Sequence, residues 1–317
     1  MSEPEFLTDP CPIELESVWG MPRNSVDAET VQPSPTPAPG SLASLRKAIQ
    51  NRQLELSFQP IVHLDSGRPA GLEGRLTWVD PEWGGRQASS FGPLADRQGL
   101  APRLIRAQFE QACRLVETLG RLPVEKRPIF VTLKVPTRHL ADRSVIDDIV
   151  EVLGGTAVDP SRLVVEMTDL TSMAGRYGVR PAVVTLREAG IRVALAQFGT
   201  QASSIRDLRE LPFTDVKIDG ALIRTIKESR EDRAVVSSLV QLAHILGLTC
   251  TGEGVEGSDQ ASSLLELGCD LGQGAHWGSG VPEAAVQGVL QNLQQSIDRV
   301  GHRAAEDIGA HRDVACS

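Results

Sequence analysis

The sequence has no run of 18 or more apolar residues, so no transmembrane helix is expected. No basic stretch followed by an apolar one opens the chain at Met1, so a secretory signal is not expected either. Cysteine is sparse and scattered: Cys11, Cys113, Cys250, Cys269 and Cys316 are odd in number and nowhere in Cys-x-x-Cys spacing. This argues against a disulfide framework and a cysteine-based zinc site, and points to reduced thiols in a cytoplasmic protein. An excess of positive charge is also lacking. The 317 residues carry 32 Lys and Arg against 41 Asp and Glu, a formal net charge of −9. A nucleic-acid-binding surface needs a basic patch and is therefore not expected.

What is present is unevenly distributed. Residues 1–40 hold Glu3, Glu5, Asp9, Glu14, Glu16, Asp27 and Glu29 against Arg23 alone, a local net charge of −6. Eight of the 20 prolines fall within residues 1–41, four of them in Pro33-Ser-Pro-Thr-Pro-Ala-Pro39. Such a stretch favours extended, solvated chain. Residues 1–41 are therefore read as a disordered acidic tail, and the less polar Cys11–Gly20 within it as incidental rather than a docking segment. Residues 42–296 read as one folded domain and residues 297–317 as a polar tail.

Within the domain, strand-like runs alternate with helical ones. Ser41 and Ser44 are candidate caps for a helix whose apolar spacing runs through Leu45, Ile49 and Leu54. Leu56–Leu64 reads as a strand, Gly67 as a turn, and Gly71–Trp78 as a second strand. The connection is too short for a crossover helix, so this pair is expected to be antiparallel. The reading continues with one helix from Pro93 to Leu119 and a strand at Ile129–Lys134. It then alternates through helices at 145–153, 180–189, 204–210, 232–246 and 259–267 with strands at 163–167, 192–196, 215–218, 248–251 and 270–272. Such alternation means parallel pairing through right-handed crossovers. About eight strands predict an α/β fold, a TIM-like (β/α)8 barrel with an antiparallel first strand.

In such a barrel, functional side chains stand at the carboxyl ends of the strands. Reading those ends in order gives Glu73, Thr132 and Lys134, Glu166, Ala196 and Gln197, Lys217 and Asp219, Glu253 and Glu256, and Gln273. Each alone reads as a solvated loop charge. Their recurrence at successive strand ends is the signal, a ring of carboxylates with a lysine of the kind that holds hard metal ions at a phosphoester. His63, His244 and His276 read as packing residues rather than ligands.

These residues carry a resemblance. Phe58-Gln-Pro-Ile-Val62, Glu73-Gly-Arg-Leu-Thr-Trp78, Glu166-Met-Thr-Asp169, Phe198-Gly-Thr-Gln-Ala-Ser-Ser-Ile205, Leu211–Asp219, Glu253-Gly-Val-Glu256 and Leu267–Gly274 stand in order. Each is similar to a motif of the EAL family of bacterial cyclic-di-GMP phosphodiesterases. The resemblance implies an EAL-type barrel over about residues 44–285, with two divalent ions, Mg²⁺ or Mn²⁺, in active members. It places Glu73 and Glu166 among the metal ligands, and Lys217 and Glu253 at the attacking water. Gln59, Thr77, Asp219 and Gln273 fall where the dinucleotide would lie. The resemblance also implies pairing of two domains through the region of Phe198-Gly-Thr and Asp207–Leu211.

The departures from the family pattern are as informative. Thr132 stands where the family has a metal-binding Asn, and Ala196 and Gln197 stand where it has paired Asp. Unit charges 4 Å apart interact by about 4 kcal/mol at an effective dielectric of 20, so two dications at such a distance repel by roughly four times that. A bridging carboxylate offsets this, and neither Ala nor Gln supplies one. Thr77 replaces a phosphate-binding Arg, a loss of about 1.5–3 kcal/mol. Arg75 shares its strand face and would substitute for it in part. With Glu73, Glu166 and Glu253 unpaired around the cavity, a dianionic dinucleotide would meet like charge.

The expectation is a degenerate EAL domain with no cofactor, acting in cyclic-di-GMP-related signalling through contacts with an unidentified regulatory protein. A receptor that binds cyclic-di-GMP without cleaving it ranks second. A residual metal-dependent phosphodiesterase giving linear pGpG ranks third.

Overall fold

The computed structural model describes residues 42–51, 53–80, 84–120, 128–168, 170, 173–199 and 205–296. Both expected tails, 1–41 and 297–317, lie outside these residues, as do Asp169 and Thr200–Ser204.

The chain opens with α1 (Leu42–Gln50), β1 (Leu54–His63), β2 (Pro69–Asp80), β3 (Gly84–Gln87), α2 (Ala88–Arg97) and α3 (Ala101–Gly120). It continues through β4 (Phe130–Pro136), α4 (Thr137–Leu140), α5 (Arg143–Gly154), β5 (Leu163–Thr168), α6 (Met173–Glu188), β6 (Arg192–Phe198) and α7 (Ile205–Glu210). The last third holds β7 (Asp215–Ile218), α8 (Gly220–Arg224), α9 (Arg230–Ile245), β8 (Thr249–Gly252), α10 (Ser258–Glu266), β9 (Leu271–Gln273) and β10 (Val281–Pro282). A helix over 283–296 closes the described chain.

Eight strands form a closed ring in the order β1, β9, β8, β7, β6, β5, β4, β2 and back to β1. From β2 through β4 to β9 the neighbours are parallel, whereas β1 runs antiparallel to both β2 and β9. The expected barrel with its reversed first strand is therefore present. The reversal has a local cause. After His63 the chain turns tightly, with the Gly67 amide donating to the His63 carbonyl at 2.7 Å and Gly67 at φ +66. That geometry leaves no room for a helix and sends β2 back along β1.

Helices cover the ring through apolar faces. In α3, Leu104, Ile105, Phe109, Ala112, Cys113, Leu115 and Val116 are buried at helical spacing. Each large side chain of this kind contributes about 1.5–3 kcal/mol when buried. Strand β5 reads Leu-Val-Val-Glu-Met-Thr and is buried from Leu163 to Met167, as parallel strands covered on both faces are. Glu166 is the one charge in that run. Cys113, Cys250 and Cys269 are buried and free.

Two local expectations are corrected, and one further strand is found. The single helix expected from Pro93 to Leu119 is two, α2 and α3. Gly99 adopts φ +63, and the amides of Gly99 and Leu100 donate back to Asp96 and Ala95, closing α2. Leu54, counted with the first helix, opens β1 instead, because the helix ends at Gln50. The short β3, unforeseen, pairs with the end of β2 from Thr77↔Gln87 to Asp80↔Gly84.

Candidate functional site

Register decides which side chains meet. Gln59 on β1 lies opposite Glu73 on β2, and Glu73 opposite Thr132 on β4. Two residues further along β4, Lys134 lies opposite Glu166 on β5. Strand period places residues 73, 75 and 77 on one face of β2 and 132 and 134 on one face of β4. Lys217 comes from β7 and Gln273 from β9, while Glu253 follows directly on β8.

These groups converge. The Lys217 Nζ lies 2.5 Å from Glu166 Oε2, 2.8 Å from Glu73 Oε2 and 3.4 Å from Glu253 Oε1. It also donates to Gln273 Oε1 at 3.1 Å. The Lys134 Nζ lies 3.3 Å from Glu166 Oε1, 3.4 Å from Glu73 Oε1 and 3.6 Å from Glu253 Oε1. Glu73 and Glu166 thus each turn one oxygen to either lysine, and Glu253 serves both with one. Arg75 donates through Nε to Glu73 Oε1 at 2.7 Å and through a terminal nitrogen to Gln59 Oε1 at 2.6 Å. Gln273 Nε2 donates to Glu73 Oε2 at 2.8 Å and to Gln59 Oε1 at 3.2 Å. Gln59 Nε2 donates to the Gly278 carbonyl at 3.0 Å.

The expected wall of unpaired carboxylates is corrected by this geometry. Three carboxylates face two ammoniums and one guanidinium, so the formal charges cancel. Arg75, expected to stand in partly for the lost phosphate contact, turns its guanidinium onto Glu73 and Gln59. Burial alone would raise the Glu73 carboxyl, but Lys217, Lys134 and Arg75 outweigh it and hold the group well below the usual range. Glu166 shifts upward, because full burial and the neighbouring Glu73 and Glu253 outweigh its lysines. Burial would lower both lysines, and the glutamates around them raise them instead.

The remaining expected site residues make the following contacts. Asp219 caps α8 by accepting from the Ala221 amide at 2.8 Å. Thr77 sits where β2 pairs with β3, and a Cβ at Gly85 would stand 3.3 Å from its methyl. Thr132 is buried, and its hydroxyl has no hydrogen-bond partner among the described residues. Ala196 and Gln197 form a bulge. Between Leu195↔Val216 and Phe198↔Ile218 two residues of β6 oppose Lys217 alone. The bulge buries Ala196 and leaves Gln197 exposed at φ 53, a left-handed conformation that Asp and Asn adopt more readily than Gln. Among the histidines, His244 faces Asp270 at 3.0 Å and His276 stacks edge-on against Trp277, with ring centroids 4.9 Å apart. His63 ends β1, half-buried.

Lys134 was legible only as a strand-end residue. The strand period put it on the face of Thr132, but its partners depend on the register of β4 against β5.

The family model described as "EAL domain" matches residues 42–279. The chain is 30% identical over 241 residues to the Pseudomonas aeruginosa bifunctional diguanylate cyclase/cyclic di-GMP phosphodiesterase MucR, a match covering 76% of this chain and 35% of that protein. It is 30% identical over 243 residues to the cyclic di-GMP phosphodiesterase RocR of the same organism, covering 77% of this chain and 61% of that one. Among solved structures, the MucR phosphodiesterase in complex with c-di-GMP is similar at a TM-score of 0.71 and 30% identity, over 77% of this chain and 98% of that one. The chain thus spans less than two thirds of the length of these two curated relatives. Among the described residues, no helix is long and apolar enough to cross a membrane.

Proposed function

The chain belongs to the EAL domain family, and on that premise we propose that it is a non-hydrolysing member acting in cyclic-di-GMP-related signalling through contacts with a regulatory protein in the cytoplasm. One observation carries the reading. Two lysine ammoniums share the same three carboxylates, while Thr132, Ala196 and Gln197 add no acid beside them. Glu73, Glu166 and Glu253 do bring one oxygen each within 4.8 Å of one another, a spacing that suits a single cation. A pair of Mg²⁺ or Mn²⁺ ions is another matter. An added dication 4 Å from one ammonium is repelled by roughly 8 kcal/mol at an effective dielectric of 20, and here there are two ammoniums. The three carboxylates are already neutralised, and a buried Ala and a neutral Gln supply no further anion. The residues present do not fit a metal pair.

Incubating the protein with cyclic-di-GMP and Mg²⁺ or Mn²⁺ tests this, and no linear pGpG is expected. Its metal-dependent appearance would overturn the reading. The receptor reading has its own support. Lys134 and Arg75 keep 41% and 39% of their side chains exposed, so two cations of the cluster remain within reach of a ligand from solvent. Calorimetry with cyclic-di-GMP in EDTA separates the two readings. Absence of heat favours protein contacts, and micromolar binding would replace them by a receptor.

A further inference from the structure

We propose that Lys134 is a resident cation: its ammonium fills the centre between Glu73, Glu166 and Glu253 and keeps the cluster closed to divalent metal ions. A single change at this residue would then open a metal site. The inference deepens the non-hydrolysing reading and rests on it.

The geometry divides the Glu73 and Glu166 oxygens between the two lysines, while Glu253 Oε1 meets both and Glu73 Oε1 also accepts from Arg75. Lys217 takes Oε2 of Glu73 and of Glu166 at 2.8 and 2.5 Å. Lys134 takes Oε1 of both, together with Glu253 Oε1, at 3.3–3.6 Å. One oxygen from each of three glutamates, at strands β2, β5 and the end of β8, thus faces one Nζ, the arrangement a single hard cation would need. Hard cations bind such oxygens at about 2.0–2.6 Å, so the ammonium and a metal ion compete for one position. Lys217, buried at 4% exposure, would remain to hold the other oxygens. On the same face of β4, the buried Thr132 hydroxyl has no hydrogen-bond partner among the described residues and adds a neutral oxygen next to Glu73 in register.

The competing account is a surface lysine in loose contact. Lys134 keeps 41% of its side chain exposed, and exposed ion pairs contribute little. A lysine of that kind would swing aside, and a divalent ion would enter the unaltered protein. The two accounts therefore differ in a measurable way.

The test is Mn²⁺ binding to the full chain after EDTA treatment, for the unaltered protein, K134S, K134Q and K134R. Thermal unfolding in EDTA first establishes that each variant folds. Isothermal titration and the electron paramagnetic resonance signal of free Mn²⁺ then report binding. The unaltered protein and K134R, which keeps a cation, are expected to bind none and to show no shift in Tm. K134S and K134Q are expected to bind about one equivalent and to gain a few degrees in Tm with Mn²⁺. Adding E253Q to K134S should abolish the gain. Mn²⁺ bound by the unaltered protein in a way that E253Q removes would overturn the inference. So would two folded neutral variants that remain blind to Mn²⁺, and that result would leave the non-hydrolysing reading standing. Metal-dependent pGpG formation by the unaltered chain would instead overturn both.

Discussion

The two lysines of the cluster carry unequal weight. Lys217 is buried at 4% exposure between two fully buried glutamates, so removing its charge strands both of them in a low-dielectric interior. Lys217→Met is expected to cost about 3–5 kcal/mol in urea unfolding. A loss below about 1 kcal/mol would show that the glutamates find other partners. Glu73 governs the acid side. Its carboxyl sits well below the ordinary value of 4.5 in the folded state, so its stabilising contribution is present above that pH and is lost as pH falls through the folded value. Glu166, shifted upward, acts with the opposite sign: its contribution is present at low pH and fades as pH rises. E73Q isolates the first effect. Stability of the unaltered protein is expected to fall below pH 4.5 more steeply than that of E73Q, measured by denaturant unfolding at stepped pH. Equal slopes would contradict the assignment. At this scale the sequence was partly legible. Lys217, Glu73, Glu166 and Glu253 stand in ordered motifs, whereas the pairing of Lys134 depends on which residue of β5 lies beside it.

At the scale of elements, close backbone approach decides tolerance. Gly274 follows the inward-facing Gln273, and a Cβ there would fall 2.0 Å from the Val255 carbonyl oxygen and 2.3 Å from its nitrogen. That strand end is tied to the loop after β8: the Val255 amide donates to the Gln273 carbonyl and the His276 amide to the Val255 carbonyl, each at 3.0 Å. Backbone on both sides leaves nothing flexible to give way. Gly274→Ala is therefore expected to cost about 3 kcal/mol or more and to displace Gln273 from Glu73. Gly288, in the helix over 283–296, has nothing within 4 Å of its would-be Cβ. Gly288→Ala is expected to stabilise by roughly 0.5–1 kcal/mol through helix propensity. Differential scanning calorimetry of the pair, with Tm moving in opposite directions, checks both. The same physics explains what the pattern hid. The break between α2 and α3 turns on the left-handed conformation of Gly99, within an otherwise continuous helical period. Strand β3, Gly84-Gly-Arg-Gln87, has no apolar alternation to announce it.

At the scale of the whole molecule, alternating strand and helix periods made the barrel readable, because parallel pairing and right-handed crossovers leave few ways to arrange such a chain. The reversed β1 was readable too, since the five residues between His63 and Pro69 admit only a hairpin. The electrostatic balance of the interior was not. It depends on seven strands arriving in register, so that charges far apart in the sequence cancel in space. Counting the acids at strand ends gave a repulsive cavity, and only the closed ring set Lys134 among them.

The ring has a seam. Strand β1 alone bridges β2 and β9, antiparallel to each. Without Leu54–His63, the barrel would be a split cylinder with two raw margins of unanswered amides and carbonyls, each ready to recruit a neighbouring molecule. The stitch sewn first by synthesis is thus the one that must wait for the final strand before it can be drawn tight.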